Sequence, residues 1–232
     1  MVISSSLHSP AQPDEGGSAA DRQVRLAIRS RSWQSALIMS TRVLLAGILG
    51  GIAMFVWTTI AHIVLPLGEA GFREIPDEQS VVGAMNSAIG DQAGFYIFPG
   101  PGLGPNPTRE QRSEAMKRMA EDFPKHASGL LIYHPPGRAF SFGKSLGTEF
   151  VTELLEAILV VFLLTRTRLQ SFGARVGFVF VAGILAAIAT NISYWNWYGF
   201  PANYTAAYML IQIIGFTCTG IVAALVLPRQ NT

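Results

Sequence analysis

Residues 146–165 read LGTEFVTELLEAILVVFLLT, and whether this stretch crosses a membrane decides the fold. Only its second half, 157–164, is continuously apolar, and eight residues cannot cross a hydrocarbon core about 30 Å thick. The first half carries Glu149, Glu153 and Glu156. At i, i+4 and i+7 these fall within about 60° of one another around a helix, so they share one face.

The flanking stretches are simpler. Residues 43–65 contain no formal charge and, as a helix, extend about 34 Å, enough to cross with some tilt. A cleaved signal peptide has a shorter apolar stretch and a small-residue cleavage site, so this run is expected to remain as an anchor. Residues 176–192 and 206–227 are likewise uncharged and of spanning length. The composition agrees: 50% of residues are apolar and 14% charged, too few charges to cover a water-soluble body of this size.

The arginines decide the disputed stretch. Outside the long connection 68–145, the basic residues are Arg22, Arg25, Arg29, Arg31, Arg42, Arg166, Arg168, Arg175 and Arg229. If 146–165 crosses, all lie on one side and the short loop 193–205 on the other carries no charge, as the positive-inside rule asks. If it does not cross, the arginines at 166–175 fall on the wrong side.

The expected fold class is therefore an all-α transmembrane bundle of four helices with a small α+β extracytoplasmic domain inserted between helices 1 and 2. Its parts are a disordered cytoplasmic tail at 1–20, a basic amphipathic juxtamembrane segment at 21–41, and spans at 42–67, 146–165, 172–192 and 204–227. The inserted domain occupies 68–145 and reads as two α-β units. Helical spacing over 77–89 leads to a strand-like 94–99, and an amphipathic 108–123 leads to 129–135. Thr108 followed by Gln111 has the form of a capping box. Both termini are placed in the cytoplasm.

Rings gather near the outer end of the last two spans. Tyr194, Trp195, Trp197 and Tyr198, followed by Tyr204 and Tyr208, are expected to act as interface anchors. Glycine or alanine pairs four residues apart (47 and 51, 173 and 177, 183 and 187, 220 and 224) suit close helix packing.

A carboxylate at the membrane midplane costs roughly 2.5–3.5 kcal/mol on the insertion scale, so the three glutamates must face the bundle or a wet cavity. No Lys or Arg lies in the interior of any of these spans to pair with them, Arg42 and Arg175 falling at span ends. The expected intramembrane polar cluster is Glu149, Glu153 and Glu156 with His62, Asn191 and Gln212. Thr58, Thr59 and Tyr208 lie at comparable depth.

Several chemistries find no support. A net charge of +2 without a basic aromatic platform gives no reason to expect nucleic acid. The single cysteine, Cys218, can form neither an internal disulfide nor a thiolate metal site. No catalytic residue, metal ligand set or cofactor motif is legible: the histidines are scattered, and no nucleophile elbow or His-Glu-x-x-His is present. The proline-glycine stretch 99–107 lacks the Lys-Ser/Thr ending of a nucleotide loop.

The stretch 62–67 (HIVLPL), the strand 95–99 (FYIFP) and above all 194–201 (YWNWYGFP) resemble a family of uncharacterised bacterial four-helix inner-membrane proteins, over about residues 42–227. The resemblance implies a multi-pass protein of the bacterial inner membrane with a periplasmic domain, and implies no reaction. The expected function is that of a non-enzymatic accessory or scaffold subunit, in contact with the lipid bilayer and with a membrane-protein partner or a second copy. The alternative is a small proton-linked transporter or a lipid- or ligand-binding protein that uses the acidic helix face. A membrane enzyme would need a cofactor that the sequence does not place.

Overall fold

The structure, a computed structural model, describes residues 19–228, with side chains described over 41–228. The tail expected at 1–20 therefore lies outside the described residues except at positions 19 and 20, where the first helix has begun. Among the described residues the order is α1 (Ala19–Ile63), α2 (Glu78–Ile89), β1 (Gly94–Phe98), α3 (Arg109–Asp122), β2 (Gly129–Tyr133), α4 (Phe142–Thr165), α5 (Phe172–Tyr198) and α6 (Ala202–Val226).

Among the described residues three stretches are long and apolar enough to cross a membrane: Thr41–Ile63 of α1, α5 and α6. The chain is a mainly helical protein with the composition of a membrane protein. With 24 residues, α4 has the length, but it carries Lys144 and the three glutamates, so its composition alone does not make it a span.

Local chemistry sets the boundaries. Ser141 and Ser171 accept hydrogen bonds from the backbone N–H groups of Lys144 and Ala174, capping the starts of α4 and α5. Gly199, at φ 70°, closes α5 in the left-handed conformation that a side chain resists. Two elements differ from the sequence reading. The basic segment 21–41 continues into the first span as one uninterrupted helix, α1. The loop expected at 193–205 shrinks to three residues, because α5 runs on to Tyr198. The apolar run stops at Ile192, which marks where hydrocarbon-compatible residues end. The helix continues on the Tyr and Trp residues that follow until Gly199 ends it.

The bundle is a row in the order α4, α1, α6, α5. Helix α1 packs along both α4 and α6, α5 packs along α6, and α4 touches α5 and α6 only lightly. Glycine permits the closest approach: a Cβ on Gly51 would lie 2.8 Å from Leu154 Cα, and one on Gly47 2.9 Å from Ile158 Cα, so α1 and α4 meet backbone to backbone. Gly183 and Gly220 meet Phe216 and Val179 across α5 and α6 in the same manner. Gly173 and Gly177, expected to pack, have no neighbour within 4 Å at the Cβ position. Their spacing is not used among the described residues.

Two hydrogen bonds tie α1 to α6: Thr219 Oγ1 donates to Gly50 O (3.0 Å), and Trp57 Nε1 donates to Ile211 O (2.9 Å). The buried core gathers Ala46, Met54, Val160, Val161, Leu164, Val179, Phe216, Ala223 and Leu227. Most of these belong to the end of the bundle that carries the 166–171 connection. The opposite end, which carries the 199–201 turn and the inserted α+β segment, is less filled.

The inserted segment forms its two α-β units with a two-stranded antiparallel sheet, Gly94 opposite Tyr133 and Phe98 opposite Gly129, the strands joined through α3. The Thr108–Gln111 capping box is formed in both directions. There the α3 backbone N–H at Glu110 and the Thr108 hydroxyl hold the Glu110 carboxyl below the usual glutamate range. Tyr133 is buried, and its hydroxyl donates toward Asn86 Oδ1 (2.9 Å), with Gly90 O at 3.0 Å, fastening β2 to the end of α2.

Candidate functional site

The unfilled end of the bundle holds a cleft of about 590 Å³ whose wall is drawn from all four long helices. All six residues of the expected polar cluster line it: His62 from α1, Glu149, Glu153 and Glu156 from α4, Asn191 from α5, and Gln212 from α6. The i, i+4, i+7 spacing presents the acids along one wall, with Glu149 exposed at the mouth, Glu153 buried and Glu156 half-buried toward the floor. Met54 and Gly215, which touch one another, are also in the lining.

The polar groups opposite the acids are mostly satisfied among themselves. Asn191 Nδ2 donates to Thr190 Oγ1 (2.8 Å) and to Ala187 O (3.0 Å), and the Thr190 hydroxyl lies 3.0 Å from Gln212 Oε1. His62 Nδ1–H donates to Thr58 O one turn earlier (2.9 Å), which fixes the ring and leaves Nε2 as its free edge. The imidazole meets the Tyr208 ring edge to face at 5.8 Å.

Glu153 is different. Only 6% of it is exposed, the Thr58 side chain faces its carboxyl, and its Oε2 is buried with no hydrogen-bond partner. A buried acceptor left unpaired is uncommon in a folded protein and costs about 1–3 kcal/mol, so its presence calls for an explanation. No Lys or Arg lines the cleft.

The six expected anchors divide. Tyr194, Trp195, Trp197 and Tyr198 are exposed on the last turns of α5. Tyr204 and Tyr208 turn inward and stack on each other at 4.3 Å. Phe200 bridges Tyr194 and Tyr204 at 5.4 Å each, so a file of rings leads from the 199–201 turn to the cleft, where Tyr208 belongs to the wall.

Thr190 and Ser145 were not singled out from the sequence, although Thr190 adjoins Asn191 and holds it to Gln212. Arg175 was read only as a topological charge, yet it is 5% exposed and bonded to three carbonyls. Nothing in its sequence neighbourhood signals that role.

Chemically, the cleft offers carboxylates, hydroxyl and amide groups, ring faces and the His62 imidazole, and no Lys or Arg among the described residues. Among the described residues no three His, Cys, Asp or Glu side chains are grouped to hold a metal ion. The glutamates are strung along the wall and do not converge on a point. No protein-family model, curated protein or solved structure matches this chain.

Proposed function

We propose that this chain is a four-span protein of the bacterial inner membrane, of the uncharacterised four-helix kind its aromatic motif resembles, and that its cleft binds a ligand bearing a cation or hydrogen-bond donor. Both termini are cytoplasmic and the α+β domain is periplasmic. The observation that carries the ligand reading is Glu153, a cleft residue whose buried Oε2 makes no hydrogen bond among the described residues, although the Thr58 side chain faces the same carboxyl. Thr58 of the neighbouring α1 accounts for one side of this carboxyl and leaves Oε2 over, whereas glutamates serving a partner would face outward.

The fourth crossing is supported by packing. Gly47 and Gly51 bring α4 alongside the hydrophobic stretch of α1 in antiparallel sense, and a helix in that position shares the depth of its neighbour. The arginine distribution supports the same orientation. With Cys218→Ser as background, an impermeant maleimide added outside intact cells is expected to label Gly104→Cys and to spare Arg168→Cys. Labelling of both would remove α4 from the membrane.

For the site, titration of the purified protein with a panel of inorganic and organic cations is expected to give saturable binding. Glu153→Gln together with Glu156→Gln should abolish it, and identical binding by that double variant would rule out the acids as the recognition element.

One observation favours the accessory-subunit reading as a second. Phe95, Ile97 and Ile132 share one face of the two-stranded sheet and are exposed, an apolar patch beyond the bundle. A stable companion protein after gentle solubilisation, lost on Phe95→Ser with Ile132→Ser, is the result expected from that reading; purification only as a free monomer counts against it.

A further inference from the structure

We propose that the ligand is an amphiphilic organic ammonium, a positively charged head on an aliphatic tail, which enters sideways from the bilayer between α4 and α5; this rests on the membrane-site reading above.

The head follows from what the wall lacks. Glu153 Oε2 is a buried acceptor with no hydrogen bond among the described residues, Glu149 and Glu156 flank it on the same wall, and no Lys or Arg lines the cleft, whose one histidine, His62, is bonded to Thr58 O. The missing partner is a donor supplied from outside, and beside three acids a cationic donor gains most. The aromatic rings in the lining, Phe55 and Tyr208, suit a diffuse organic cation, which is attracted by aromatic rings.

The body follows from size and lining. A cleft of about 590 Å³ lies within the roughly 300–1,000 Å³ typical of organic ligand sites and is far larger than a bare ion needs. Beside the acids and the Thr190, Asn191 and Gln212 group the wall has an apolar part, formed by Met54, Phe55, Leu146 and Ile211. A small hydrated cation would leave those groups against water, whereas a tail covers them.

The route follows from the helix order. The row ends at α4 on one side and α5 on the other, and these two touch only lightly. Thr190 and Asn191 of α5 lie on one side of the cleft and the Phe142–Glu156 portion of α4 lies on another. Where the flanking helices cross a bilayer, a gap between them faces lipid.

Binding of labelled dodecyltrimethylammonium is measured on the full chain in phosphatidylglycerol nanodiscs, in excess of empty discs. Saturable binding is expected. Tetramethylammonium should compete at least about tenfold more weakly, because it lacks the tail. Dodecanol, which has the tail without the charge, should compete as weakly. Glu153→Gln should lose at least about tenfold in affinity while staying monodisperse. Leu146→Trp, which leaves the acids intact, should weaken the dodecyl compound more than tetramethylammonium.

Equal competition by tetramethylammonium overturns the amphiphile and leaves the acidic site standing. Equal competition by dodecanol, or unchanged binding to Glu153→Gln, overturns recognition by the acids as well. Absence of saturable binding by either cation overturns both. Replacing half the lipid by phosphatidylethanolamine separates sources of the same chemistry. Weakened dodecyltrimethylammonium binding in those discs supports a lipid ammonium head, and unchanged binding supports a free amphiphile.

Discussion

Arg175 donates from Nε to Leu169 O (3.0 Å), from Nη1 to Leu227 O (2.8 Å) and from Nη2 to Pro228 O (2.8 Å). One guanidinium therefore fastens the connection between α4 and α5 to the end of α6, where carbonyls have no helical partner. Lysine carries the charge but not the planar fork, so Arg175→Lys preserves the topological signal and loses the three-way bond. It is expected to lower stability by about 1–3 kcal/mol, read as a lower thermal midpoint in nanodiscs with orientation unchanged. An unaltered midpoint would show that the bonds contribute nothing net. The opposite sign is expected at Glu153. Its Oε2 is buried without a partner, so Glu153→Leu exchanges an unsatisfied acceptor for an apolar group of similar size. In the ligand-free protein this should raise stability by about 1–3 kcal/mol while removing cation binding, a trade that sites built for ligands commonly show. A lower midpoint for Glu153→Leu would mean that the carboxyl already has its partner.

At the scale of the helix, the α1–α4 contact depends on glycines more than on side-chain bulk. A Cβ at position 51 would meet the Leu154 backbone at 2.8 Å, which a rotamer change cannot relieve. Gly51→Leu is thus expected to push the helices apart and lower stability by about 1–3 kcal/mol, the usual range for overpacking, with loss of cation binding because the acidic wall moves with α4. Gly177→Leu, at a position with no neighbour, should leave both quantities unchanged. That contrast shows what the sequence could tell. Four-residue spacing of small residues identified Gly47 and Gly51 correctly and Gly173 and Gly177 incorrectly, because spacing fixes a shared face and says nothing about whether another helix lies on it. Capping chemistry was more dependable: Thr108 and Gln111 form their box, since both partners lie within one turn. The end of α5 was misplaced for the complementary reason, that hydropathy reports the solvent a residue prefers and Gly199 the place where the backbone turns.

Across the whole molecule, the six cluster residues converged because depth could be counted along each helix, and residues at equal depth on neighbouring helices meet if their faces agree. The order α4, α1, α6, α5 could not be read, since similar apolar stripes fit several arrangements, and the gap beside α4 follows from that order. The same order predicts a gradient of local stability along α4. Its last turns place Val160, Val161 and Leu164 in the buried core, while Glu149, Glu153 and Glu156 border the cleft. Backbone amides in a dry, packed bundle exchange slowly, and those beside a wet cleft exchange through smaller, local openings. Hydrogen exchange in nanodiscs is therefore expected to be faster over residues 145–156 than over 157–164, with a step between them larger than any along α6, whose turns beside the cleft are still packed by α1 on one side and α5 on the other. Dodecyltrimethylammonium should slow exchange over 145–156 in the wild type and leave Glu153→Gln unaffected. Uniform protection along α4 would mean that the cleft is closed and dry in the bilayer, which would remove the path by which any ligand reaches Glu153.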